Sequence, residues 1–239
     1  MNLAAITCTN QRPGPFLDCI RYMERQTRQP DSWVVVGDVL ENLFITNRSG
    51  RKELPKATFM YRNEGVPGWA NFIANMRAAM RITQESEAVT FFEDDDWYRP
   101  DHLALIEEAL RDNDVVGVDG MRYFHVGDRA ILNHSGVCTL AGTAFRGEKA
   151  RAAMLRAIET AADLNTYAVD RFFWRLVKLE GLRFKRITEP TVVGIKGQQG
   201  AGNLGIGRNA TGWTPDPDGE QLRRWIGDDA DLYLSKVRA

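Results

Sequence analysis

The feature of this sequence that most constrains its fold is an alternation of short apolar runs with helical patterns in the first half of the chain. Four apolar runs predict strands, at residues 3–8, 33–36, 58–61 and 89–92. Apolar residues at helical spacing follow them, at 16–23, 69–80 and 103–110. Because parallel strands are joined through crossover helices, this alternation predicts an α/β fold with a mixed, mainly parallel sheet flanked by helices.

The second half of the chain has a less regular pattern. Strands are predicted at 115–118, 121–125, 136–145, 184–187 and 191–195, and helices at 148–162 and 170–180. Two prolines precede a last amphipathic helix, whose apolar positions are Leu222, Trp225, Ile226 and Leu232. No linker separates the halves, so we expect a single domain over 1–239 with a first half (1–112), a second half (113–210) and a helical tail (211–239).

Composition excludes several classes of protein. The chain has 31 Lys and Arg against 32 Asp and Glu, without the basic excess of domains dominated by phosphate-backbone binding. Cys8, Cys19 and Cys138 form no CxxC pair, which argues against a disulfide framework or a structural zinc site and favours a reducing compartment. No apolar run approaches the roughly 18 residues of a membrane span, and no signal peptide is visible. We therefore expect a cytoplasmic protein.

Four consecutive acids, residues 93–96, follow directly after the predicted strand at 89–92, and we call them the acidic turn. They repel one another, and the adjacent sequence offers only Arg99 as a compensating cation. A hard divalent cation, which prefers oxygen ligands, would neutralise them at the strand end where open α/β sheets bind ligands. The alternative is a solvated turn that caps the following helix. The adjacent Trp97 and Tyr98 favour a binding site.

The residues around the acidic turn resemble a segment of family 2 glycosyltransferases with the GT-A fold. Residues 91–100 read Phe-Phe-Glu-Asp-Asp-Asp-Trp-Tyr-Arg-Pro, where that family usually has two apolar residues, Asp-x-Asp-Asp, two aromatics, one residue and Pro. Other motifs occur upstream in the family's order: a first strand and loop at 6–13, Gln-Thr at 26–27, a strand ending in Asp38, Asn-x-Gly at 63–65, and Asn71. The resemblance covers about the first hundred residues well and the rest loosely.

This resemblance implies a GT-A, Rossmann-like fold with a smaller acceptor-side lobe. It also implies the transfer of a sugar, with inversion, from a nucleoside-diphosphate sugar to an acceptor hydroxyl. UDP is the commonest nucleotide of the family, and it would bind in the first half of the chain. The residues that match donor-binding positions are Thr7, Thr9, Asn10, Arg12, Asp38, Asn71, Glu93 and Asp94.

The resemblance further implies Mn²⁺ or Mg²⁺ at the acidic turn, where the ion would act on the leaving diphosphate. The family's first acid is Asp, and Glu93 takes that place here. In this register Glu93 and Asp95 are the ligands of the metal and the ribose-diphosphate, whereas a shifted register pairs Asp94 with Asp96. We expect the metal at Asp95, Glu93 and Asp96, with Asp95 as the principal ligand.

A second segment, at 167–175, resembles the family's Glu-Asp motif, in which Trp follows the Asp by four residues. Asp170 and Trp174 match it, but Val169 stands where the family has Glu. The resemblance makes Asp170 the general base that takes the acceptor's proton. The alternative is a helix cap, a role that Asp favours.

Glycines are concentrated between 194 and 207. Residues 200–205 spell GxGxxG, but no βαβ unit fits after them, which rejects a dinucleotide-binding fold. Either this stretch is a lid from which Lys196 and Arg208 reach the diphosphate, or it is a disordered loop. The family's histidine ligand has no counterpart, since every histidine precedes Asp170. His125 and His134 are either structural or near the acceptor.

Charge is unevenly distributed along the chain. Between 85 and 119 about twelve acids face two basic residues, and between 146 and 186 about ten basic residues face five acids. The basic segment lies in the half that would face the acceptor and consists mainly of Arg146, Lys149, Arg151, Arg171, Arg175, Lys178, Arg183, Lys185 and Arg186. It indicates either a polyanionic acceptor or a set of solvated helix faces. The acceptors we consider are a glycan, a lipid-linked sugar, an anionic lipid surface and a modified nucleic acid.

Two other functions are compatible with such a nucleotide-binding half. One is a nucleotidyltransferase that makes a sugar nucleotide, although no glycine-rich basic loop follows the first strand, where Thr-Asn-Gln-Arg-Pro stands at 9–13. The other is a non-catalytic module that binds a sugar nucleotide. The sequence names neither the donor sugar nor the oligomeric state.

Overall fold

The computed structural model describes residues 1–9, 12–37, 57–61, 68–198 and 211–238. These residues form one mixed sheet with helices on both faces. The strands are β1 (Leu3–Thr9), β2 (Ser32–Gly37), β3 (Ala57–Tyr61), β4 (Ala88–Phe91), β5 (Asp96–Tyr98), β6 (Val115–His125), β7 (Ala130–Arg146), β8 (Phe184–Ile187), β9 (Val192–Lys196) and β10 (Thr214–Pro215). The helices are α1 (Pro13–Glu24), α2 (Gly68–Ile82), α3 (His102–Leu110), α4 (Gly147–Asp163), α5 (Val169–Leu179), α6 (Glu220–Ile226) and α7 (Ala230–Leu234).

The sheet joins strands from both halves of the chain in the order β3-β2-β1-β4-β7-β6-β9-β5. The first four are mutually parallel, β7 runs antiparallel to β4, and β6 runs antiparallel to β7. Two short strands pair in parallel with successive parts of β6, β8 along its first residues and β9 along its last. The carboxyl ends of β1, β4, β6 and β9 therefore lie at one edge of the sheet.

Alternate residues of the parallel strands enter hydrophobic cores on the two faces of the sheet, because successive side chains of a strand point to opposite faces. Ala5 and Val35 face a core shared with α1, α6 and α7. Ile6 and Val34 face the core formed with α2, α4 and α5. Both faces of the sheet are covered, which is why β1 and β2 are continuous apolar runs rather than alternating ones.

The strands and helices predicted for the first half are confirmed to within a few residues at each end. The second half differs from the prediction in its longest elements. The predicted strands at 115–118 and 121–125 form one strand, β6, whose pairing with β7 is irregular around Asp119. The partner strand begins at Ala130 rather than at residue 136.

The helix predicted at the end of the chain is two helices rather than one. Gly227 ends α6 with a backbone φ of 63°, a left-handed conformation that glycine adopts readily, and a short 3-10 turn separates α6 from α7. Leu222 and Ile226 therefore lie on α6, whereas Leu232 lies on α7. No helix in the described ranges is long and apolar enough to cross a membrane.

Candidate active site

The acidic turn lies at the sheet edge where β1, β4 and β9 end, between β4 and the short strand β5. Asp94, Asp95 and Asp96 are only 1%, 8% and 3% exposed, so the turn is not the solvated acidic turn that we considered from the sequence. Burying several carboxylates is costly unless they are paired and hydrogen-bonded. The structure supplies both kinds of partner from distant parts of the chain.

Thr9, at the end of β1, and Arg12, at the start of α1, hold Asp94. The Thr9 hydroxyl donates to one carboxylate oxygen at 2.6 Å, and the Arg12 guanidinium pairs with the other. Arg12 also donates to the Asp95 carboxylate at 2.8 Å. Two of the residues predicted to bind the donor, Thr9 and Arg12, are thus assembled against the acidic turn.

Lys196, the last residue of β9, supplies the second buried cation. Its ammonium lies 3.6 Å from Asp95 and 3.4 Å from Asp96. Because β5 pairs with β9, the backbone also places Asp96 opposite Gly194, and the Ile195 N–H donates to the Asp96 carboxylate at 3.3 Å. Arg99, the only cation adjacent in sequence, instead pairs with Asp101 and Glu189.

The four acids differ in their pKa values. Burial raises the pKa of Asp94 to about 7, against the opposing charge of Arg12, and raises the pKa of Asp96 to about 6, against Lys196. Burial also acts to raise the pKa of Asp95, but Lys196 and Arg12 outweigh it and hold that pKa below its usual value. Asp95 is thus the acid most strongly held in its ionised form.

Glu93 has a different environment from the three aspartates. Its side chain is partly exposed, and among the described residues its carboxylate makes no hydrogen bond or ion pair. Burial and then the charges of Asp96 and Asp95 raise its pKa well above the usual range, and Asp170 adds to that rise. Glu93 is therefore the acid of the turn that is open to a further partner.

The aromatic residues after the turn fix its backbone and do not line the site. Tyr98 is fully buried, stacks on Phe92 at 3.7 Å, and accepts a hydrogen bond from the Glu93 N–H at 2.6 Å. Trp97 donates from its indole nitrogen to Asp229 at 2.7 Å. The aromatic pair that favoured a site in the sequence thus anchors the acidic turn.

Gln198 and residues near the end of the chain hold the acidic turn and the strand that follows it. Asp229 also pairs with Arg25 at 2.5 Å, which links α1 to the segment before α7. The Gln198 side chain donates to the Asp95 carbonyl at 3.0 Å and accepts from Lys236 at 3.1 Å. The backbone of the acidic turn is therefore held by residues more than 100 positions away.

Asp170 lies in the first turn of α5, not at the cap, which is Ala168. One carboxylate oxygen accepts from the Arg171 N–H at 2.7 Å. Burial raises the pKa of Asp170, although backbone N–H groups oppose the rise. Its charge acts on Glu93 and on Tyr123, so Asp170 lies within electrostatic range of the acidic turn.

The other predicted donor-binding residues have different positions. Thr7 is fully buried, where its hydroxyl donates to the Phe92 carbonyl at 2.6 Å and accepts from Trp33 at 2.9 Å. Asn71 lies on α2, 7% exposed, and its side-chain carbonyl oxygen is buried with no hydrogen-bond partner among the described residues. Donor binding by Thr7 and Asn71 stays a prediction.

Some predictions lie outside the described residues. These are Asn10, Asp38 and Arg208, the Asn-x-Gly motif at 63–65, and the glycines from 200 to 207. Lys196 is the part of the predicted glycine-rich segment that the structure brings to the site.

The carboxylates do not fit a metal ion in the observed arrangement. The oxygens of Asp94, Asp95 and Asp96 are taken up by Thr9, by two cations and by a backbone N–H. Within the described ranges, no group of three or more His, Cys, Asp or Glu side chains could hold a metal ion. An ion at Asp95, Glu93 and Asp96 stays a prediction that requires the two cations to move.

Comparisons with solved structures identify the fold. The chain is similar to a crystal structure of S. aureus TarS, with a TM-score of 0.52 and 18% identity over 82% of this chain. It is equally similar, at 16% identity over 99% of this chain, to TarS 1-349 in complex with UDP and in complex with UDP-GlcNAc. The chain spans 37% of the first structure and 70% and 71% of the other two.

These similarities and the sheet confirm the predicted fold class, a mixed α/β GT-A fold. No protein-family model matches the sequence. No curated protein matches it either.

Sequence reasoning missed the residues that hold the acidic turn from elsewhere in the chain. It named Arg12 and Lys196 as donor ligands, not as the cations that pair with the acids. It did not name Asp229, Gln198 or Lys236. No local pattern could have found these three, because each acts through a contact with a strand or turn far away in the sequence.

Proposed function

We propose that this protein is a glycosyltransferase that moves a sugar from a nucleoside-diphosphate sugar, with UDP as the nucleotide, to an acceptor hydroxyl. The observation that carries the proposal is the buried cluster of acids and cations at the carboxyl ends of β1, β4 and β9, with Asp170 within electrostatic range. The GT-A fold supports it, as do the UDP and UDP-GlcNAc complexes of TarS.

In this proposal, the chain's own residues supply a base and a charged cluster. The acceptor oxygen bonds to the anomeric carbon of the donor sugar while the bond from that carbon to the diphosphate oxygen breaks. The acceptor's proton passes to a carboxylate oxygen of Asp170, and the nucleoside diphosphate leaves with the electron pair. Attack from the face opposite the diphosphate inverts the configuration. The raised pKa of Asp170 makes it a stronger base than an exposed aspartate.

Lys196 and Arg12 are the cations that we propose for the leaving diphosphate. Lys196 is buried and Arg12 is largely buried at the turn, where charges act more strongly than in water. A divalent cation bound to Asp95, Glu93 and Asp96 would add Lewis-acid stabilisation of the same diphosphate. The transfer step described above does not require that ion, and in the observed arrangement the carboxylates are paired with Arg12 and Lys196.

A cytoplasmic location remains part of the proposal. It is supported by three free thiols, Cys8, Cys19 and Cys138, which suit a reducing compartment.

A donor screen tests the function without a known acceptor. The protein is incubated with a panel of nucleoside-diphosphate sugars, with Mn²⁺ and with EDTA, and slow hydrolysis to the free diphosphate is followed by mass spectrometry. We expect at least one UDP-sugar to be hydrolysed. Failure to bind or hydrolyse any sugar nucleotide under either condition contradicts the proposal.

The same assay tests Asp170. We expect Asp170→Asn to lower transfer or hydrolysis by about 10²–10⁴-fold while UDP binding is retained. The matched control is Asp163→Asn, at the exposed end of α4. Unchanged turnover in Asp170→Asn would remove the base assignment and leave donor binding in place.

A further inference from the structure

The two cations at the acidic turn contact the carboxylate oxygens that a divalent ion would need. Arg12 and Lys196 lie 2.8 and 3.6 Å from the same oxygen of Asp95, Oδ2. Asp95 is the residue that the sequence predicted as the principal metal ligand. Lys196 also lies 3.4 Å from Oδ1 of Asp96, an oxygen that accepts from the Ile195 N–H as well. An ion at this position would therefore have to displace both cations.

The third aspartate of the turn is engaged in the same way. One carboxylate oxygen of Asp94 pairs with Arg12, and the other accepts from the Thr9 hydroxyl at 2.6 Å. Across the residues that the structure describes, no three carboxylate, thiol or imidazole side chains are arranged to hold a metal ion. A metal requires oxygens that converge on one point, whereas these oxygens contact two separate cations.

The two cations together carry the charge of the ion whose position they take. Arg12 and Lys196 contribute two positive charges to the three aspartates, which is the charge that one Mn²⁺ or Mg²⁺ would contribute. A diphosphate that approaches the turn therefore meets the same net charge in either arrangement.

Both cations belong to the framework of the fold. Lys196 is the last residue of β9, where it pairs with His125 of β6, and its carbonyl accepts from the Val126 N–H at 2.8 Å. The next residue, Gly197, has a φ of 73°, and a Cβ placed there would lie 2.5 Å from a carbon of the His125 ring. Arg12 is the N-terminal cap residue of α1. The backbone around each cation is thus fixed by secondary structure and close packing.

Replacing these cations by an ion would be unfavourable. A buried charge that loses its partner is destabilising, because nothing compensates for its lost hydration. An ion on Asp95 and Asp96 would leave Lys196, whose side chain is 9% exposed, beside a like charge and without its carboxylates. The fold therefore favours its own cations over an ion from solution.

Lys196 has hydrogen-bonding capacity left for a phosphate. An ammonium group has three N–H donors. Within the described ranges its carboxylate neighbours are Asp96 at 3.4 Å and Asp95 at 3.6 Å, and both distances are longer than the roughly 2.7–2.9 Å of a strong charge-assisted hydrogen bond. The ammonium can therefore donate to a diphosphate oxygen while it stays beside the two aspartates.

We propose that Lys196 and Arg12 replace the divalent cation in this protein, so that it transfers its sugar without a metal. This inference rests on the proposed glycosyltransferase function and assigns the groups that stabilise the leaving diphosphate. As the bond from the anomeric carbon to the diphosphate oxygen breaks, that oxygen keeps the electron pair, and the Lys196 ammonium stabilises it by a hydrogen bond without losing a proton. The acceptor's proton passes to Asp170, as above. The Mn²⁺ or Mg²⁺ expected from the sequence is then not required.

The first test compares the wild-type protein with and without a metal. Metal is removed with a chelating resin, and the metal content is checked by inductively coupled plasma mass spectrometry. Hydrolysis of the UDP-sugar found in the donor screen, and UDP binding by calorimetry, are then measured in EDTA and in Mn²⁺. We expect rates and affinities in the two conditions to agree within about threefold, a difference of less than one tenfold step in free energy.

Two results of this comparison would overturn the inference, and they differ in what they say of the proposed function. Hydrolysis that requires Mn²⁺ would show that the cations do not replace the ion, and the glycosyltransferase proposal would stand. Absence of binding and hydrolysis in both conditions would contradict the glycosyltransferase proposal and this inference with it.

The second test removes the lysine. In EDTA, Lys196→Met should weaken UDP binding at least about tenfold, because a charge-assisted hydrogen bond is lost. Mn²⁺ should restore part of that binding, since an ion can enter the vacated position. The matched control is Lys185→Met, which removes an exposed cation from β8, a strand that pairs with the opposite end of β6. Equal UDP binding by the two variants in EDTA would contradict the inference.

Binding of Mn²⁺ without nucleotide provides a readout that does not depend on activity. The electron paramagnetic resonance signal of free Mn²⁺ should persist when wild-type protein is added and should fall when Lys196→Met is added. Wild-type protein that binds Mn²⁺ as tightly as Lys196→Met would overturn the inference. Thermal melts identify a variant that fails to fold, and the comparison of wild-type protein in EDTA and Mn²⁺ requires no variant.

Discussion

Lys196 and Arg12 compensate a cluster of carboxylates that would otherwise be very unfavourable to bury. Removing one partner of a buried ion pair costs more than the pair itself contributes, because the other charge is left uncompensated. The Lys196 side chain is 9% exposed and lies within 3.6 Å of two carboxylates. The stability of the acidic turn therefore depends on this lysine more than on any surface cation.

We predict that Lys196→Met lowers the free energy of unfolding by about 3 kcal/mol, measured by urea denaturation. The vacated position between Asp95 and Asp96 should then bind a divalent ion, so Mn²⁺ should restore part of the loss. The control is Arg99→Met, whose ion pairs are more exposed and should cost less than about 1 kcal/mol. Equal losses in the two variants, with no effect of Mn²⁺, would contradict this account of the turn.

Because His102 is buried, we predict that the protein loses stability in mild acid. It is fully buried, its Nδ1 lies 2.7 Å from the Thr191 hydroxyl, and its other ring nitrogen has no hydrogen-bond partner in the described part of the chain. Burial lowers the pKa of His102 from 6.5 to about 3, so the ring is neutral in the folded protein. Between those two values the unfolded state takes up a proton that the folded state does not, and stability falls as the pH falls.

From pH 7 to pH 5, this one group should cost about 2 kcal/mol. His102→Gln removes the titration, so its loss of stability over the same interval should be smaller than wild type by that amount. Comparing the two proteins cancels the acids of the turn, whose raised pKa values act in the opposite direction. Identical pH dependence in both would show that His102 is not the group responsible.

The elements around the site depend on a junction between α1, β5 and the end of the chain. Asp229 accepts from Trp97 and pairs with Arg25, and Trp97 directly follows the acidic turn. We predict that Asp229→Ala costs about 2 kcal/mol of stability and weakens UDP binding, because it frees the turn.

Asp231→Ala is the matched control for this junction, since Asp231 is 73% exposed and pairs only with Arg223 among the described residues. It should change stability by less than about 0.5 kcal/mol and leave UDP binding unaltered. Urea denaturation and calorimetry measure both effects. If Asp229→Ala behaves like Asp231→Ala, the end of the chain has no part in holding the site.

Strands and helices with a regular spacing of apolar residues were predictable from the sequence. Strands whose extent depends on pairing with a neighbouring strand were not. β1 and α2 have apolar residues at strand and helix spacing, and both occur as predicted. The sequence predicted two strands in place of β6, because Asp119 and Gly120 interrupt its apolar pattern. In the structure, pairing with β7 continues on both sides of these residues, so β6 is one strand. β5 was missed because its three residues become a strand only through pairing with β9.

At the scale of the whole molecule, the site combines residues that were candidates in the sequence but whose contacts with one another were not predictable from it. The acids, Arg12, Lys196 and Asp170 were all candidates in the sequence. Which cation would meet which acid depends on the sheet, where antiparallel β7 brings β6 and β9 beside the first half of the chain. Residues 83 and 100 positions apart thus become contacts.

The central claim is that a nucleoside diphosphate binds at the acidic turn. A crystal structure of the protein with UDP and Mn²⁺ tests it most directly. We predict the diphosphate within hydrogen-bonding distance of Lys196 or Arg12 and beside Asp95, at the carboxyl ends of β1 and β4. Nucleotide bound elsewhere, or no nucleotide at saturating concentration with the turn still closed by its two cations, would contradict the claim.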